Sequence, residues 1–241
     1  MGEDRSRRHA AQRLRVVGDG GRFFGRRAGH KLSPRQAGLF ETSLPPLALD
    51  LEAPPGELGR LFSFPVEAVR LEIGFGAGEH LTAEATAHPR TGFIGVEPFV
   101  NGMAKALSAI AARGIANIRL HHGDAADLMP WLPASALARV DMLYPDPWPK
   151  RRHWKRRFVQ DESLAAIARA LQPGGEFRFA TDIPDYAAWT LARALRSPDL
   201  VWTARCADDW RLPWEGFAGT RYEAKAKRAG RRPCYLIFRR R

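Results

Sequence analysis

The heptapeptide Tyr144-Pro145-Asp146-Pro147-Trp148-Pro149-Lys150 sets a carboxylate between two prolines, with an aromatic ring and a lysine close behind. Each proline ring fixes φ and restricts the residue before it, so Asp146 has little backbone freedom. The segment ends an apolar run, Val140 to Tyr144, and opens onto the basic block Lys150–Arg157. A rigid acid beside a stacking surface and a phosphate-seeking cluster is what a site for a nucleobase within a nucleic acid needs. A second carboxylate, Asp182 in Ala180-Thr181-Asp182-Ile183-Pro184, is likewise restrained near a proline.

A different chemistry sits earlier in the chain. Leu71-Glu72-Ile73-Gly74-Phe75-Gly76-Ala77-Gly78-Glu79 carries glycines at 74, 76 and 78, which let backbone approach a ligand closely. A dinucleotide fingerprint needs its third glycine at position 79, and Glu79 stands there, where it opposes a pyrophosphate. An acid ahead of the glycines, Glu72, suits a cofactor bearing an ammonium group. Glu97, in Gly95-Val96-Glu97, is placed to accept from both ribose hydroxyls. Asp124, in His122-Gly123-Asp124-Ala125, is placed to accept from an adenine amino group. Each acid alone could merely cap the helix that follows it. Taken in order they describe S-adenosylmethionine, with Asp146 delivered beside the expected methyl group.

These residues need a frame that brings them together. Val69–Ile73, Thr91–Val96, Asn117–His121, Val140–Tyr144 and Glu176–Ala180 read as strands, with Val201–Cys206 and Tyr235–Arg239 closing. Helices read near Glu79–Ala87, over Pro98–Arg113, over Phe158–Leu171 (stopped by Pro173-Gly174-Gly175) and over Tyr186–Leu195. Strands alternating with helices predict an α/β fold, a doubly wound, mostly parallel, seven-stranded Rossmann-like sheet. Ligands in such sheets bind at the carboxyl ends of the strands near the switch point, where all the singled-out residues fall. Residues 1–40 read as a basic, mobile arm and 41–241 as one domain.

At 241 residues the chain can bury a sizeable core. Its formal charge of +12 is concentrated. Residues 1–31 hold nine Lys/Arg against three acids, residues 150–157 six against none, and residues 221–241 nine against Glu223 alone. These segments net +6, +6 and +8, which leaves the rest of the chain at −8. Such concentration points to a polyanion partner. Lipid is disfavoured, because there is no basic helix with a broad apolar face and no apolar run long enough to span a membrane. Two distant cysteines, Cys206 and Cys234, and no apolar leader indicate a reducing, cytoplasmic setting. No HExxH or paired CxxC occurs, so no metal is expected.

Late in the chain comes Gly219-Thr220-Arg221-Tyr222-Glu223, then Lys225, Lys227 and Arg228. With these the sequence resembles the bacterial tRNA (guanine-N7-)-methyltransferases. The likeness runs from about Phe24 to the C-terminus, through Gly25-Arg26-Arg27, LEIGFGAGEH at 71–80, GVEP at 95–98, YPDPWPKRRHWKRR at 144–157, ATD at 180–182 and GTRYEAKAKR at 219–228. The family usually shows Phe where Tyr144 and Tyr222 stand, and often His at position 149. The resemblance implies a class I methyltransferase that modifies N7 of guanine 46 in the variable region of tRNA. It places Glu72, Glu97, Asp124 and Asp146 at the cofactor and makes Asp146 the active-site acid. It places Lys150, Asp182, Thr220, Arg221, Tyr222 and Glu223 at the substrate. Trp148 and Trp154 are candidate base-stacking rings. Arg151, Arg152, Lys155, Arg156 and Arg157, with Arg22, Arg26 and Arg27 of the arm, are candidate phosphate contacts. tRNA is the expected partner and no obligatory protein partner is evident. The alternative is a methyltransferase acting on an exocyclic amine of another nucleic-acid base, since those enzymes resemble this one in carrying an acid or amide, then Pro-Pro-aromatic, at the fourth strand end.

Overall fold

The computed structural model describes residues 24–241. Seven strands form one sheet: β1 (Ala68–Ile73), β2 (Thr91–Val96), β3 (Ile118–His121), β4 (Leu137–Leu143), β5 (Leu171–Thr181), β6 (Leu200–Trp202) and β7 (Cys234–Arg240). The spatial order is β3-β2-β1-β4-β5-β7-β6. Strands β1 to β5 are parallel, and β7 runs antiparallel between β5 and β6. The chain winds outward from β1 through β2 to β3, then returns to β4 and winds the other way. The switch point therefore lies between β1 and β4, with its crevice at their carboxyl ends.

The helices are α1 (Pro34–Thr42), α2 (Glu79–Ala87), α3 (Val100–Arg113), α4 (Ala125–Trp131), α5 (Asp161–Ala170), α6 (Pro184–Ala194), α7 (Asp208–Arg211) and α8 (Arg221–Arg228). Two apolar layers sandwich the sheet. One joins Leu71, Ile73, Val140, Met142, Phe177 and Phe179 to Leu128, Leu164 and Ile167. The other joins Phe93, Ile118 and Leu120 to Leu81, Met103 and Leu107. All six residues of β2 are buried, as expected of a parallel strand covered on both faces. Among the described residues no helix is long and apolar enough to cross a membrane, and no group of three or more His, Cys, Asp or Glu could hold a metal ion.

Several elements differ from the sequence expectation, among them the added helices α4 and α7 and a β5 that begins at Leu171 and includes Pro173-Gly174-Gly175. The arm expectation covers residues 1–40; residues 1–23, with Arg22, lie outside the described residues. Its last part is α1, opened by a capping box between Ser33 and Gln36 with Pro34 in the first turn. That helix packs on α3 and buries Phe40 in the second layer, so residues 34–40 belong structurally to the body. Helix α8 escapes a periodicity search because it buries only Glu223 and Ala226. Strand β6 spans three residues, not six: Leu200–Trp202 pairs with β7, and after Thr203, which still donates to the Ile237 carbonyl at 3.0 Å, the chain leaves the sheet.

Candidate active site

A cavity of about 590 Å³ opens at the switch point. Gly74, Gly76, Glu97, Asp124, Asp146 and Tyr222 line it together, with Arg26, Trp148 and Arg156 among the other wall residues. The turn after β1 is its floor. Gly74 and Gly76 take φ of +73° and +60°, which a side chain would strain, and a Cβ at Gly74 would project into open space. Gly76 N–H donates to Glu97 Oε2 at 2.6 Å, and Phe99 N–H donates to Glu97 Oε1 at 2.9 Å. Glu97 thereby ties the end of β2 to the glycine turn and keeps one free lone pair on each oxygen. Burial pushes its carboxyl up to about 7, against the two backbone donors that favour the charged form. Gly102, on α3, also matters here: a Cβ there would sit 2.4 Å from the Gly76 carbonyl oxygen.

Asp124 caps α4 through Oδ1, which accepts from Ala126 N–H at 2.9 Å. Its Oδ2 is buried with no partner. An orphaned acceptor in a cavity wall fits a ligand that brings a donor, such as an adenine amino group. Asp146 is solvent-accessible but lies in a concave recess, and the surrounding protein raises its carboxyl above the usual range by desolvation. At the mouth, the Arg156 guanidinium lies over both Phe24 and Trp148, 5.4 and 5.0 Å from the ring centroids. The segment behind Phe24 is pinned to α3, since Asn101 Oδ1 accepts from Gly29 N–H at 2.6 Å and Asn101 Nδ2 donates to the His30 carbonyl at 2.8 Å.

The other expected cofactor and substrate residues, Tyr222 excepted, stand outside the cavity. Glu72 is buried beneath the glycine turn, where it accepts from His80 Nδ1 at 2.8 Å. Burial raises the Glu72 carboxyl despite His80; burial opposes protonation of His80, but Glu72 outweighs it and raises the imidazole. Glu72 thus faces a helix, not open space. Gly78 caps α2 and packs against Ala106 of α3. Lys150 is exposed at the start of the 3-10 turn Arg151–Arg156. Asp182 accepts from Arg231 Nε at 2.5 Å. Thr220 caps α8, its hydroxyl accepting from Glu223 N–H at 3.0 Å. Arg221 lies 3.7 Å from Glu79, and Tyr222 flanks Gly76. Glu223 is buried, accepting from the Tyr235 hydroxyl at 2.5 Å and from Lys227 Nζ at 2.6 Å. Asp182 and Glu223 both act on Tyr144, whose hydroxyl is pushed up first by burial and then by Tyr235 and these two acids.

Two stacking and phosphate expectations are corrected. Trp154 packs edge-on against Trp189, 5.2 Å between centroids, with its indole N–H buried, so it is no base platform. Arg157 is fully buried and holds no phosphate; its guanidinium lies within 5.0 Å of the Trp154, Tyr186 and Trp189 ring centroids.

A doubly wound sheet with strand-end acids around one deep cavity at its switch point defines a Rossmann-like methyltransferase. A family model described as "Putative methyltransferase" matches residues 67–235. The solved structure of TrmN from Thermus thermophilus shares the fold, with a TM-score of 0.52 at 19% identity, covering 76% of this chain and 46% of that one. Two proteins from Rhodopseudomonas palustris strains, each named tRNA (guanine-N(7)-)-methyltransferase, are far more similar. One is 65% identical over 221 residues, covering 91% of this chain and 86% of the relative. The other is 64% identical over 222 residues, covering 92% and 87%. The chain belongs to the tRNA (guanine-N(7)-)-methyltransferase family.

Proposed function

We propose that this chain moves a methyl group from S-adenosylmethionine to N7 of guanine 46 in the variable region of tRNA, yielding 7-methylguanosine and S-adenosylhomocysteine. The observation that carries the reading is the convergence of Glu97, Asp124 and Asp146 on one cavity floored by Gly74 and Gly76. Bound S-adenosylmethionine supplies an electrophilic sulfonium methyl. In this reading Glu97 accepts from the ribose hydroxyls and the unpartnered Oδ2 of Asp124 accepts from the adenine amino group. Glu72 and Gly78 act indirectly, by holding the glycine turn from beneath and behind.

Guanine N7 has a lone pair and no proton, so no residue need act as a base on the nucleophile. What remains for the protein is in-line alignment and complementarity to the positive charge that builds on the purine. Orientation alone supplies up to ~7–11 kcal/mol in the best intramolecular cases. We assign Asp146 and Asp182 to the N1–H and N2 donors of guanine, an edge that adenine lacks. Asp182 keeps Oδ1 for this while Arg231 holds Oδ2. Thr220 to Glu223 present Arg221 and Tyr222 beside the glycine turn, and Lys150 begins the tRNA-facing basic turn.

Capture of tRNA falls to the chain's own basic segments, which requires no second subunit, and the setting is cytoplasmic. Lys155 is exposed among them. Lys155→Ala should reduce the slope of log K against log[salt] for tRNA binding by about 0.7–1, with little change in base preference. Filter binding at several salt concentrations reads this out, and an unchanged slope would remove Lys155 from the phosphate contacts.

The Glu97 carboxyl gives a pH signature. Only its charged form accepts with both oxygens, so cofactor affinity should fall as pH drops below about 7, approaching tenfold per unit. The linkage to folding has the opposite sense. The folded protein holds the Glu97 proton between the ordinary 4.5 and about 7, so this group stabilises at low pH and that contribution is lost as pH rises through 7. Calorimetric titration of S-adenosylhomocysteine from pH 5.5 to 8.5 checks the first statement. Flat affinity across that range would remove Glu97 from the ribose.

The function itself is tested with labelled S-adenosylmethionine, an unmodified tRNA transcript and nucleoside analysis. Label in 7-methylguanosine, lost when guanine 46 is replaced, is expected. Label on an exocyclic amine would move the activity to another methyltransferase class.

A further inference from the structure

We propose that Arg157 is a positioning residue that cross-links the two carboxylate loops of the active site and sets the placement of Asp146 against Asp182. The inference rests on the reading that these two acids meet the guanine. Its own basis is the environment of one side chain. Arg157 Nε donates to the Pro147 carbonyl at 2.8 Å, and Nη2 pairs with Asp185. Pro147 follows Asp146 directly, and Asp185 lies three residues after Asp182 in the first turn of α6. One planar guanidinium therefore spans from the loop after β4 to the first turn of α6, at the end of the loop after β5. The side chain has no exposure to solvent, and three aromatic faces enclose it. Its fork is thus fixed in direction.

The loop after β4 needs such a fixture. Tyr144 and Trp148 hold φ of +52° and +43°, a left-handed conformation that costs a bulky residue and persists only when its surroundings enforce it. At one end the enforcing contact is Tyr144 N–H to the Ala180 carbonyl, at 2.7 Å. Near the other end it is Arg157 on Pro147. The prolines on either side of Asp146 donate no N–H, so the loop has few other means of attachment. The remaining packing holds Arg157 in turn: Trp189 Nε1 donates to the Val159 carbonyl at 2.7 Å, and the Tyr186 hydroxyl accepts from Val159 N–H at 3.4 Å.

Arg157→Lys keeps the charge and the aromatic enclosure but cannot reach both partners with a fixed fork. Asp185→Asn removes the charge partner at a half-exposed position and leaves the Pro147 contact. The test combines amide hydrogen exchange with single-turnover methylation of tRNA. In Arg157→Lys the amides of Tyr144, Asp146 and Trp148 should exchange faster while β1 and β2 keep their protection. The methyl-transfer rate should fall about 10- to 100-fold, with S-adenosylhomocysteine and tRNA affinities within about threefold of wild type. Asp185→Asn should show the same pattern more weakly, and the double variant should be no worse than Arg157→Lys. Unchanged exchange over 144–148, in Arg157→Lys or, should that variant not fold, in Asp185→Asn, would overturn the proposal. So would additive rate losses in the double variant. Wild-type protein that makes no 7-methylguanosine would defeat the functional reading alone, because the exchange measurement reports the cross-link without turnover.

Discussion

Asp146→Asn is expected to lower kcat/KM for tRNA methylation about 100- to 1,000-fold while S-adenosylhomocysteine binding changes little. The substitution preserves shape in the Pro145-Asp146-Pro147 segment and removes the negative charge that the proposed mechanism sets against the purine as it becomes cationic. Removal of one preorganised stabilising group costs about 10²–10³ in kcat where such groups have been deleted. The recess around Asp146 adds to the effect, because partial desolvation already disfavours the carboxylate and strengthens its interaction with a neighbouring positive charge. The loss should appear in the chemical step: single-turnover rates fall and the apparent affinity for tRNA stays near that of wild type. A variant with kcat/KM within threefold of wild type would leave Asp146 as a loop residue and deny it any part in stabilising the transition state.

The second large effect is on stability. Arg139→Met should destabilise the protein by about 3–5 kcal/mol, seen as a lower urea midpoint at unchanged slope. Arg139 is buried on β4, where Nε donates to Asp141 Oδ2 at 2.7 Å and Nη2 pairs with Glu84 of α2. Arg70 of β1 adds a contact to the same Glu84 oxygen at 3.1 Å. Asp141 stands opposite Glu72 in the β1–β4 register, so three carboxylates crowd beneath the glycine turn. Burial opposes the Arg139 charge, but Asp141 and Glu84 outweigh it and raise its pKa, and Arg139 in return holds Glu84 below its ordinary value. Methionine fills the volume and leaves the acids unpaired. Loss of less than about 1 kcal/mol would mean that Arg70 and His80 suffice to neutralise the cluster.

What could be read in the sequence follows from which interactions are local. The glycine turn, Glu97, Asp124 and Asp146 were legible because a parallel sheet delivers every strand end to one edge, so chain order alone predicts their meeting. Glu72 stands at the expected end of β1, but its pairing with His80 of α2 was not legible, since a period-two pattern fixes a face only when one face is polar, and β1 is covered on both. Arg157 and Trp154 were misread for a related reason. They sit in a run whose composition says surface, and only the long-range contacts to Tyr186 and Trp189 show that two of its members turn inward. For α1 and α8 the signal was present. Ser33-Pro34-Arg35-Gln36 and Thr220-Arg221-Tyr222-Glu223 both carry the spacing of a helix start, and a search for caps instead of apolar periodicity finds them. The role of Gly102 had no local signal, because the carbonyl it must clear belongs to Gly76.

The most direct measurement compares two tRNA transcripts, one with guanosine and one with 7-deazaguanosine at position 46, in binding and in methyl transfer. The replacement keeps the N1–H and N2 donors assigned to Asp146 and Asp182 and deletes only the attacking nitrogen. Equal affinity for the two, with transfer to guanosine and none to the 7-deaza transcript, is the expected result. Methyl transfer to the 7-deaza transcript at an undiminished rate would contradict attack by N7 of guanine 46.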